Sequence, residues 1–109
     1  MMVSFVKSYN EGKSRVEFLL VNFDYYDGNE YLAQIFNEEY GFCVCDKYNG
    51  IWFEIIHICL GNCIYEMLWH EDVGNVIYSI EQSQNANDLL EERLSKVIDI
   101  VNKRIQHKS

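Results

Sequence analysis

The chain has 109 residues, no proline and a net charge of −8; 49% of its residues are hydrophobic and 15% aromatic. That is enough apolar chain for one domain, residues 1–109, to bury a core without metal or disulfide, and too much for disorder. The apolar runs fall far short of the roughly 20 residues of a membrane helix, and the start, MMVSFVKSYNEGK, lacks the apolar core and cleavage site of a signal peptide; a soluble, cytoplasmic protein is expected.

Taken in chain order, MVSFVKS (residues 2–8) reads as a short strand and Asn10-Glu11-Gly12-Lys13 as a turn. SRVEFLLVNFDYY follows as a second strand. Val16, Phe18, Leu20 and Asn22 share one face and Glu17, Leu19, Val21 and Phe23 the other, so both faces are largely apolar and the strand reads as central. Asp27 stands where an N-cap belongs, with Glu30 three residues on as in a capping box. Tyr31, Leu32, Ile35 and Phe36 then fall at helical spacing and Gly41 ends the segment, predicting a helix over 28–40.

Four strands with short turns are predicted next. They are FCVCDKY, a hairpin turn at Asn49-Gly50, IWFEIIHIC, a turn at 60–62, CIYEMLWHE, a turn at 73–75, and VIYSIEQ. Leu89, Leu90, Leu94, Val97, Ile98, Val101 and Ile105 form an apolar stripe with a 3.6-residue period, a second helix that Asn85 or Asn87 can cap. Acidic residues open this helix and basic ones close it, as the helix dipole favours. The order ββαββββα describes an α+β fold: an antiparallel sheet of about six strands with two helices laid on it.

No motif announces catalysis. The six glycines are scattered at turns and form no phosphate loop, and there is no Gly-x-Ser-x-Gly elbow. Cys43, Cys45, Cys59 and Cys63 have the wrong spacing for zinc pairs and read as buried, reduced packing thiols. His57 and Cys59 share a strand face, yet acidic surroundings raise a thiol's pKa and argue against a nucleophile. His70 reads as a solvated residue beside a turn. Glu38-Glu39, Glu71-Asp72 and Glu91-Glu92 read as solvated turns and helix ends. No catalytic residue, metal site or cofactor is expected. Phe18, Phe23, Phe36, Phe42, Phe53 and Trp69 are assigned to the core.

Charge placement is the informative feature. From Val16 to Glu92 there are 15 acidic residues and one basic residue, Lys47, while both chain ends are basic. Such a body repels nucleic acid and anionic membranes and draws in a basic protein. Tyrosines lie among the carboxylates and offer large, amphipathic contact area. The expected contact surface is Asp24, Tyr25, Tyr26, Asp27, Glu30, Glu38, Glu39 and Tyr40, with Glu71 and Asp72 as a second patch.

In size, acidity and α+β texture the whole chain resembles the immunity proteins of bacterial toxin systems, notably contact-dependent growth inhibition and related polymorphic toxins. The resemblance implies a non-enzymatic antitoxin, monomeric when free, that neutralises one cognate toxin domain in the cytoplasm. Many such toxins are basic nucleases, and an acidic, tyrosine-bearing surface can occlude the substrate-binding or active site of an RNase-type toxin. The other class consistent with a small acidic α+β chain is a secretion chaperone that binds an extended effector segment.

Overall fold

All six strands pair antiparallel in one sheet, in the order β1-β2-β6-β5-β4-β3. The computed structural model describes residues 2–25 and 27–108, with side chains as far as Gln106. The elements are β1 (Ser4–Asn10), β2 (Arg15–Val21), α1 (Gly28–Tyr40), β3 (Cys43–Asn49), β4 (Phe53–Leu60), β5 (Cys63–His70), β6 (Gly74–Ser79) and α2 (Gln84–Lys108). This is the expected ββαββββα order. β3 to β6 form a meander, and the β1–β2 hairpin adds to its far side through Phe18 opposite Ile77 and Leu19 opposite Val76. β6 therefore lies inside the sheet, and all six of its residues are buried.

Both helices lie on the same face of the sheet. Phe18, Ile56, Ile58, Tyr65, Met67 and Ile77 project from the strands into one core with Leu32, Ile35 and Phe36 of α1 and Leu90, Leu94 and Val97 of α2. Polar ties hold the layers together. The Asn102 side chain bonds both the N–H and the carbonyl of Val3, at 2.8 and 2.9 Å. The buried Tyr65 hydroxyl donates to the Ala86 carbonyl at 3.4 Å, and burial pushes its pKa up to about 12. Arg104 donates to the Tyr31 hydroxyl and Arg93 lies over the Tyr40 ring, so the helices run antiparallel.

Several local expectations are corrected. β2 stops at Val21 because Asn22 takes a left-handed conformation, φ 62°. Its side chain is used instead to bond the Met2 carbonyl. Gly41 does end α1, at φ 76°, but the capping box does not form. The Asp27 side chain makes no cap hydrogen bond, and Glu30 reaches across to Lys47 on β3. At α2 the cap is Ser83, whose Oγ accepts from the Ala86 N–H at 3.1 Å, rather than Asn85 or Asn87. The cysteines are not buried: Cys43 and Cys45 are exposed on edge strand β3, and Cys59 and Cys63 are partly exposed. Phe53 is exposed and Trp69 only partly buried, whereas Phe18, Phe23, Phe36 and Phe42 are in the core.

The Asn49-Gly50 turn is wider than expected. Strand pairing stops at Asn49 opposite Glu54, and the Gly50 N–H closes on the Phe53 carbonyl at 2.8 Å. A Cβ on Gly50 would sit 2.3 Å from the Phe53 ring, so any larger residue must displace that ring. Ile51 and Trp52 are thereby expelled from the strand into a loop.

A candidate protein-binding surface at one end of the sheet

Three connections meet at the end of the sheet where α1 begins: the β2–α1 segment, the β3–β4 loop and the β5–β6 turn. Short polar contacts fix them to one another. The Glu71 N–H bonds the Trp52 carbonyl at 3.0 Å, joining the β3–β4 loop to the β5–β6 turn. Trp69 Nε1 donates to Asp24 Oδ1 at 3.0 Å, and the Asp24 carboxyl lies against Gly74. Buried Asn75 accepts from the Tyr25 N–H at 3.2 Å and donates to the Tyr25 carbonyl and to Asn29 Oδ1. One asparagine thus grips the backbone of the acidic segment and the first turn of α1 together.

The surface so assembled mixes exposed apolar groups with carboxylates. Ile51 is 83% exposed, Trp52 and Val73 59% each, and Tyr25 57%; Asp24, Asp27, Glu71 and Asp72 are exposed around them. The Tyr25 ring stands edge-on to Phe23, with centroids 5.3 Å apart. A cleft of about 530 Å³ opens beside Tyr25 and Asp27, walled by Phe23, Tyr31 and Val101 and closed by Arg104. Trp and Tyr are residue types enriched at protein-recognition hot spots.

The expected contact residues divide. Asp24, Tyr25 and Asp27 join Glu71 and Asp72 in a single patch, so the two patches read from the sequence are one. Tyr26 lies outside the described residues. Glu30 is drawn aside by Lys47. Glu38, Glu39 and Tyr40 stand at the far end of α1, about 17 Å along the helix axis from Asp27. There Arg104 lies 3.9 Å from Glu38, and Arg93 covers Tyr40. These two residues serve the contact between the helices. Ile51 and Trp52 were not anticipated, because apolar residues directly after Asn-Gly read as strand; Val73 was read as part of a turn, with no contact role. The clue available in the sequence was Gly50 itself, followed by three bulky residues that a two-residue turn leaves no room to pair.

Beneath the surface lies Glu54, 2% exposed, on the helix-covered side of β4 with its Oε1 unpartnered. Burial pushes its pKa up, as do Glu30 and Asp27, while Lys47 pulls it down. A carboxyl raised in the folded state stabilises the fold fully below its ordinary pKa of about 4.5. That stability is lost as pH rises through the folded value. Glu54→Gln is therefore expected to be more stable than the native chain near pH 7, by on the order of 1 kcal/mol, with the gap closing toward pH 4. Urea titrations at several pH values measure this; a constant gap would remove ionisation as its cause.

The other titratable groups pair locally. His57 and Glu66 bond each other at 2.8 Å across β4 and β5. Cys45 donates to the His57 carbonyl at 3.5 Å. Although the Cys45 residue is exposed, desolvation of its Sγ comes first, with the neighbouring Cys59 thiol next, in pushing its pKa up to about 11. Such a thiol is a poor nucleophile at neutral pH. Among the described residues, no three His, Cys, Asp or Glu side chains are grouped to hold a metal ion, and no helix is long and apolar enough to cross a membrane. Compared with protein-family models, curated proteins and solved structures, the chain matches none.

Proposed function

We propose that this protein is a binding module for a basic protein partner. On its size, acidity and fold class, we further propose that it is an immunity protein that neutralises a nuclease toxin domain. The observation that carries the reading is the end-of-sheet surface, where Trp52, Tyr25, Ile51 and Val73 are exposed among Asp24, Asp27, Glu71 and Asp72. None of these eight residues is basic. Their carboxylates can take the lysines and arginines of a nucleic-acid groove by charge-assisted hydrogen bonds. The aromatic rings supply area that is slow to release, and the cleft beside Asp27 offers room for one inserted side chain.

The test is inhibition of the toxin domain encoded beside this chain. Purified protein is expected to form a one-to-one complex with that domain and abolish its nuclease activity at equimolar concentration. It is expected to leave an unrelated basic nuclease untouched. Full nuclease activity in the presence of excess protein, with no complex by calorimetry, overturns the proposal.

A further inference from the structure

The sheet face opposite the helices is not polar. One residue from each strand forms an unbroken apolar row in direct register across all six strands: Val6, Leu19, Val76, Leu68, Ile55 and Tyr48. Val6 and Tyr48, at the two edges, are about half exposed. Both helices pack on the other side and leave this row uncovered; Leu19, Leu68 and Ile55 are partly exposed, and Val76 at the middle is buried. An antiparallel sheet with one solvated face ordinarily turns polar side chains outward; a continuous apolar row marks a contact surface.

The polar groups beside the row are already hydrogen-bonded. Arg15 bonds Glu17 at 2.7 Å and lies 3.6 Å over the Tyr78 ring. His57 bonds Glu66 at 2.8 Å, and the Tyr48 hydroxyl donates to Asp46 at 2.6 Å. A surface that is apolar and whose flanking polar groups are hydrogen-bonded within the sheet can meet its own copy without leaving a buried polar group unpartnered.

We propose that this open face is the interface of a homodimer, packed sheet on sheet about a two-fold axis. This rests on the open face alone, not on the proposed function, and departs from the monomer expected from the sequence. The contact is self-complementary, since each apolar row lies on its counterpart, as in two-fold interfaces generally. Six strands about 4.8 Å apart and about 23 Å long give roughly 550 Å² per copy, or about 1,100 Å² in all, which clears the lower bound for a specific interface. The net charge of −8 opposes pairing from the rim and is screened by salt. The dimer is therefore strengthened by salt, whereas capture of a basic partner is weakened by it.

Sedimentation equilibrium of the full chain, over a hundredfold range of concentration and at low and high salt, tests this. A reversible dimer of the 12.9 kDa chain is expected, its dissociation constant falling as salt rises. Val6→Lys, at an exposed edge position, and Leu68→Lys, at the centre of the row, are each expected to raise that constant at least tenfold. Circular dichroism should be unchanged for Val6→Lys, which disturbs no core packing. Ile51→Lys, at the sheet end, should leave the dimer intact. A chain that stays monomeric at high concentration and high salt overturns the proposal. So does a dimer that survives Val6→Lys and Leu68→Lys alike. Toxin inhibition retained by Val6→Lys would show the two surfaces to be separate.

Discussion

Asn75→Leu is expected to destabilise the protein by about 3 kcal/mol, the largest stability effect of any substitution outside the apolar core. Asn75 is 1% exposed and makes three hydrogen bonds, two to the Tyr25 backbone and one to Asn29. Leucine fills similar space but leaves the Tyr25 N–H without its acceptor, while the Tyr25 carbonyl keeps only its bond from the Gly28 N–H. It also strips Asn29 of its Oδ1 bond, although the Asn29 Nδ2 already lacks a partner in a fully buried site. Each buried group so orphaned costs about 1–3 kcal/mol, and for a domain of this size the melting temperature should fall by about 15 °C. A double-mutant cycle with Asn29→Ala should show about 1 kcal/mol of coupling between the two asparagines. The acidic segment depends on the same grip, so amide exchange around Asp24 and Tyr25 should accelerate more than in the strands. A loss below about 1 kcal/mol would mean that the segment is held by something other than this network.

The largest functional effect is expected from reversing the uncompensated charges together. Asp27, Glu71 and Asp72 are exposed, and their carboxylates make no hydrogen bond or ion pair among the described residues. Changing all three to lysine should leave stability near native. Three carboxylates become three ammonium groups, so the net charge moves from −8 to −2, with the whole change at the proposed landing site. Association with the basic partner should slow by about 10- to 100-fold at low ionic strength and lose most of its salt dependence. Trp52→Ala should act differently. It removes an exposed anchor but no charge, so dissociation should quicken by about 30-fold or more while association holds. Stopped-flow and surface-binding kinetics separate the two. If the triple variant associates at the native rate, the partner does not land on this end of the sheet.

Much of the fold was legible because it rests on local rules. Alternating apolar residues set the strands, the stripe from Leu89 to Ile105 set α2, and Gly41 set the end of α1. The two apolar faces of β2 correctly placed it inside the sheet. Where local rules failed, a distant residue had competed for the same group. Lys47 on β3 took Glu30 from the capping box, and the Phe53 ring folded over Gly50 and expelled Ile51 and Trp52. Ser83 capped α2 because the helix starts at Gln84, ahead of both asparagines.

The candidate surface divides along the same line. Its acidity, and the presence of Asp24, Tyr25 and Asp27 at a strand-to-helix corner, followed from the sequence alone. The sequence could not bring Glu71 and Asp72 to that corner, since this depends on β5 and β6 lying beside the entry to α1. Nor could it assign Glu38 and Tyr40 to the helix contact, because Arg93 and Arg104 reach them only after α2 packs antiparallel to α1. Side-chain spacing along one element is written in the sequence, and charge and periodicity are read from it. Which elements become neighbours is set by the sum of many weak packing contacts across the whole chain, and it was that choice that collected scattered carboxylates and an expelled tryptophan into one surface.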